Sequence, residues 1–229
     1  MLSNIYLHYA FDLWVKQWRA RHAEGDMVIV RYADDWVAGF QYIGDAERFQ
    51  REVTERMARF GLKLHEGKTR LIEFGRFARE NCRRRNGGKP PTFDFLGFTH
   101  CCGKTHKGRF AVLRLTSAKR MRAKLLAVKQ QLRRRMHQTI AEQGKYLGSV
   151  VNGHMRYFGV PRNGPRLARF RALVARVWYR ALHRRSQKSR LRWQQMNRLV
   201  AHWLPCTHIC HPYPNQRLIV TTQGRSRMR

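Results

Sequence analysis

The chain has 229 residues, 43% of them hydrophobic, enough to bury a core in one large domain or two small ones. Its 47 Lys/Arg stand against 14 Asp/Glu, a formal charge of +33. That balance excludes a generic near-neutral enzyme and implies a polyanionic partner. With no apolar run of about 18 residues and no signal peptide at Met1, nucleic acid is expected rather than membrane, in a cytoplasmic setting.

The charge is divided along the chain. Residues 1–100 carry 17 Lys/Arg and 13 Asp/Glu, a net of +4; residues 101–229 carry 30 Lys/Arg and one acid, Glu142, a net of +29. Five cysteines (Cys82, Cys101, Cys102, Cys206 and Cys210) have no framework spacing and read as reduced thiols.

In chain order, Leu2, Ile5, Tyr6, Tyr9, Leu13 and Trp14 recur near the helical period and predict a helix over 3–21. The turn Gly25-Asp26 leads into Met27–Phe40, where Val28-Ile29-Val30 and Trp36-Val37 flank Asp34 and Asp35 at the tip of a β-hairpin. Adjacent carboxylates repel each other and favour a hard divalent cation, although Asp is also a common turn residue. A second helix is expected over 45–60, with Phe49, Val53, Met57 and Phe60 on one face and Gly61 ending it. Short strands are expected at Leu62–Leu64 and at 70–74, and a loop over 81–92. The spacing then predicts paired strands at Phe93–Thr99 and Arg109–Leu115, turning around Gly103–Gly108.

From Ser117 the pattern is helical only, with helices expected at 117–136, 139–158, 163–185 and 189–203 and an extended tail after Pro205. Cys206, His208, Cys210 and His211 lack the second pair of ligands a zinc knuckle needs, as do His100, Cys101, Cys102 and His106; both groups read as loop residues.

Tyr32-Ala33-Asp34-Asp35 resembles the Tyr-x-Asp-Asp box of reverse transcriptases, in the form typical of group II intron enzymes. Three further segments resemble neighbouring blocks of that family in the right order: Ser3–His8, Gly61–Thr69 and Phe93–Phe98. Gly153–Phe158 resembles the maturase, or thumb, part, and His211–Pro214 with Thr222–Arg225 resembles its ending. The resemblance implies an α+β chain, a partial reverse-transcriptase palm (antiparallel sheet with helices) followed by an all-helical basic thumb. It implies a palm over 1–115, a thumb/maturase domain over 116–205 and a basic tail over 206–229. The implied function is that of an RNA-directed DNA polymerase and maturase of a group II intron.

The same resemblance assigns roles. Asp34 and Asp35 are catalytic and hold Mg²⁺ in a two-ion site, Asp34 directly, and Lys68 sits near the incoming nucleotide's phosphates. Phe95, Leu96 and Gly97 grip the primer, while Tyr32 is a packed strand residue. RNA binding falls to Lys119, Arg120, Arg122, Lys124, Lys129, Arg133, Arg134, Arg135, Arg156, Arg162, Arg166 and Arg169. The partners are structured intron RNA and an RNA/DNA primer-template.

One departure matters. The family's first catalytic Asp lies on an earlier strand, and neither Asp12 nor Asp26 stands in its context. The expectation is therefore a truncated or split chain, with a missing N-terminal polymerase half as partner and little polymerase activity of its own. Exposed sheet edges and apolar surface should accompany it. A non-catalytic RNA-binding splicing helper, using the basic helices alone, is the alternative.

Overall fold

The computed structural model describes residues 2–85, 87–185 and 191–213. The tail motif beyond Tyr213 and the start of the helix expected at 189 lie outside these residues. The described chain is α+β, with two small antiparallel sheets and helices packed as two compact units that divide between Glu73 and Phe74. Among the described residues no helix is long and apolar enough to cross a membrane.

In the first unit, helix α1 (Leu2–Leu7) passes through a π-helical turn, His8–Asp12, into α2 (Leu13–Arg21). A π-turn opens the ordinary ladder, and the Ala10 carbonyl accepts a hydrogen bond from Arg56 Nε at 3.1 Å. Strands β1 (Met27–Tyr32) and β2 (Asp35–Phe40) pair from Met27↔Phe40 to Tyr32↔Asp35, a two-residue hairpin. Helix α3 (Ile43–Arg59) begins with buried Asp45, whose carboxylate accepts the backbone N–H groups of Glu24 and Gly25 and so pins the turn into β1. Its end is a Schellman cap: Gly61 at φ +66° donates to Ala58 O and Leu62 N–H to Met57 O. The core is aromatic, with Trp18 2.6 Å from Glu52 through its indole N–H and packed edge-on to Phe49.

The short strands expected at 62–64 and 70–74 do not form; both segments are irregular. Alternating apolar residues there have no neighbouring strand to pair with, and pairing rather than pattern makes a sheet. The β1–β2 sheet has two strands and exposes Val28, Val30 and Tyr32 on one face. Tyr32, expected to be packed, is 65% exposed, because strand alternation gives the inner face to Met27, Ile29 and Arg31.

In the second unit, α4 (Ala78–Arg84) occupies part of the expected loop. The single strand expected over 93–99 is two, β3 (Phe93–Phe95) and β4 (Phe98–Lys104), folded back at Leu96-Gly97. Both turn residues have positive φ, +49° and +78°, the pattern of a type I′ turn. Strand β5 (Phe110–Thr116) completes the sheet in the order β3-β4-β5. Helices α5 (Ala118–Arg134), α6 (Ile140–Phe158), α7 (Gly164–His183) and α8 (Trp193–Trp203) follow, so the change to helices falls at Thr116–Ser117 as expected. A capping box between Thr139 and Glu142 starts α6. Met121, Val128, Leu147, Val174 and Trp178 belong to one bundle core. Buried Gln143 crosses it, donating to Arg135 O at 2.6 Å and accepting from the Trp178 indole at 3.0 Å.

Candidate functional site

The hairpin tip is built from β1 inward. Tyr32 and Asp35 form the last pair, leaving Ala33 and Asp34 as the loop. Ala33 sits at φ +55°, where a Cβ is strained, so something must hold it there. Arg31 does: its Nη1 donates to Ala33 O at 2.7 Å and to Asn4 Oδ1 at 3.3 Å. The same guanidinium grips Asp12 through both carboxylate oxygens, at 2.8 and 2.6 Å. The hydrogen bond from Arg31 is the main reason the Asp12 carboxyl titrates below its ordinary value of 3.8. Helix, strand and tip are thereby tied through one cation. Asp34 and Asp35 themselves are exposed, standing clear of the sheet that fixes them.

Arg31 is the residue the sequence reading passed over. Its signal was present: strand alternation places a cation on the apolar inner face, which requires a buried-side partner. Asp12, weighed only as a metal ligand, is that partner.

Lys68 is exposed in the turn after His65, and its backbone N–H donates to His65 O at 3.0 Å. Among the described residues, no group of three or more His, Cys, Asp or Glu side chains gathers as a metal would require. Asp34 and Asp35 therefore remain a pair, and a pair of carboxylates does not fit a two-ion site.

Phe95 ends β3, while Leu96 and Gly97 form its turn, and their backbone is engaged from within the unit. Leu96 O accepts from the Tyr157 hydroxyl at 3.0 Å and Gly97 O accepts from Ser117 N–H at 3.0 Å. The Phe98 and Tyr157 rings stack at 5.9 Å beside this turn, and the side a Cβ on Gly97 would occupy faces Phe158 and Arg120.

The basic residues separate by what they touch. Lys119, Arg120, Arg122, Lys124, Lys129, Arg133 and Arg134 lie exposed along α5, with Arg156 exposed on α6 and Arg169 on α7; Arg166 is half-buried. Arg135 instead lies over the Tyr146 ring at 4.6 Å, and Arg162, at φ +72°, donates to Lys104 O at 3.0 Å. Arg171 caps the end of α8, donating to Val200, Leu204 and Pro205 carbonyls. Part of the positive charge is therefore engaged within the fold, on a helix end, a strand carbonyl and an aromatic ring, and the exposed Lys and Arg of α5 face water.

In the terminal segment, Cys210 and His211 N–H groups both donate to Gly159 O, so this stretch is strapped to the end of α6.

Compared with known proteins, residues 1–100 match the family model described as reverse transcriptase (RNA-dependent DNA polymerase). No curated protein matches the chain.

Proposed function

We propose that the chain is a group II intron type reverse transcriptase/maturase, with a palm over 1–115, a thumb/maturase part over 116–205 and a basic tail over 206–229. Its partners are structured intron RNA and an RNA/DNA primer-template, and its principal activity as an isolated chain is RNA binding. One conjunction carries this reading. An Asp34–Asp35 tip inside a segment similar to reverse transcriptases is joined to residues 101–229, which hold one acid among 30 Lys/Arg.

Nucleotidyl transfer by this family's chemistry needs two divalent ions, held by more carboxylates than the tip supplies. Asp12 is committed to Arg31 and adds no ligand. Asp34 and Asp35 would contribute to such a site only with a further carboxylate from elsewhere, and Lys68 would face phosphate in the completed site. Primer extension on an RNA template with Mg²⁺ by this polypeptide alone is therefore expected at background. Robust synthesis abolished by Asp34→Ala would refute this.

A second reading, a non-catalytic RNA-binding splicing helper, is favoured by the same engagement of Asp12. It is distinguished by complementation. If a polypeptide supplying a third carboxylate restores synthesis that Asp34→Ala removes, the polymerase reading holds; if splicing assistance persists in Asp34→Ala/Asp35→Ala, the helper reading does.

A further inference from the structure

Helices α5 and α7 pack against each other, and between their C-terminal halves the surface opens into a cleft of about 110 Å³. Its floor is apolar: Leu132 from α5 and Met136 just beyond its end, Val177 and Ala181 from α7. Its walls are four cations, Lys129 and Arg133 on α5, Arg180 on α7 and Arg184 at the C-cap of α7. No carboxylate lines it, and no described acid pairs with any of the four.

Cations are favoured near helix C-termini, which accounts for Arg133, Arg180 and Arg184. It does not account for Lys129, a full turn back from Arg133, about 6 Å along the axis. Like charges at i and i+4 repel, so each wall is destabilised until an anion lies along it. The open floor narrows the ligand further. At about 110 Å³ the cleft is on the scale of one planar ring and far short of an amphipathic helix. Three of the four cations are Arg, whose flat guanidinium both forks onto phosphate and stacks on bases.

We infer that the cleft between α5 and α7 binds a single unpaired RNA base, the ring on the apolar floor and its flanking phosphates on Lys129, Arg133, Arg180 and Arg184. This rests on the RNA-binding reading above and adds to it a preference for bulged over fully paired RNA.

The test uses the full chain and two fluorescein-labelled RNA hairpins, identical except that one carries an unpaired 2-aminopurine. The bulged hairpin is expected to bind about tenfold more tightly, the stacking of one base, with a change in 2-aminopurine emission. Ala181→Leu, which fills the floor, should equalise the two affinities while leaving paired RNA unchanged. Val177→Leu fills it from one turn earlier on α7 and serves if Ala181→Leu loses its far-ultraviolet circular dichroism. Arg133→Glu with Arg180→Glu should weaken the bulged hairpin more than the paired one. Equal affinities for the two RNAs, or a preference that survives both filling variants, would overturn the inference while leaving RNA binding intact. So would an acidic Glu/Leu peptide whose binding, rather than that of the bulge, is lost on filling. Absence of salt-sensitive binding to either RNA would instead remove the RNA-binding reading itself, and this inference with it.

Discussion

His154 stands in the core of the helical unit, 7% exposed, its ring stacked on Phe170 at 3.7 Å and tilted against Phe158 at 4.6 Å. Its Nε2 is buried without a hydrogen-bond partner. Burial first, and then the nearby Lys124 ammonium, push its pKa down to about 4. The unfolded chain protonates this ring near 6.5. Between those values the unfolded state binds the extra proton, so stability falls as pH drops through 6.5 towards 4 and is level in this respect below it. At about 1.4 kcal/mol per tenfold the full interval is worth about 3 kcal/mol, and residual solvation of the ring lowers this to about 2 kcal/mol. His154→Phe keeps the stack and removes the titration. Urea unfolding of both proteins at pH 7 and pH 4.5 should show similar stability at pH 7 and an acid loss about 2 kcal/mol smaller in the variant. NMR titration of the imidazoles, with His154 assigned by its absence from the variant, should place its midpoint well below 6.5. Equal acid losses, or a His154 midpoint near 6.5, would refute the burial argument.

Arg31→Ala releases both Asp12 and the Ala33 carbonyl, and should cost about 1–2 kcal/mol, reduced by the pair's partial exposure. The sharper readout is hydrogen exchange at the amides of 33–36, which should quicken; unchanged exchange there means the tip holds itself. Because Asp12 titrates low, the pair's contribution is present above its ordinary value of 3.8 and fades as pH falls below it. Asn163 is fully buried and joins Thr116 N–H, Thr116 Oγ1 and Phe158 O, so Asn163→Ala strands several polar groups and should cost about 2–4 kcal/mol in urea unfolding. Affinity for structured RNA should fall steeply with salt, with a log–log slope of about −4 to −5 for six phosphates; a flat response would remove the phosphate-contact reading.

Local periodicity carried the helices well, because α3, α5, α6 and α7 each present an apolar stripe that needs no knowledge of its partner. It failed where geometry is decided by pairing. Phe93–Thr99 reads as one strand because Leu96 is apolar, yet Leu96 takes a left-handed backbone that only the contacts around the turn stabilise. Residues 62–64 and 70–74 read as short strands but find no neighbour. At the candidate site, Asp34 and Asp35 were legible as a pair. Their support was not, since Asp12 and Arg31 are 19 residues apart and meet only when helix and hairpin pack.

That support changes what the tip can do. Asp12 reaches the tip only through Arg31, and its two oxygens are both taken by that guanidinium. Freeing it would forfeit a charge-assisted pair and release the strained Ala33, so a cation recruiting Asp12 would loosen the tip it needs. The arrangement therefore favours a rigid, exposed carboxylate pair over a self-contained metal site. Such a pair suits a third carboxylate arriving from outside the described residues, and Asp12→Asn should accordingly loosen the hairpin rather than alter which ions Asp34 and Asp35 accept.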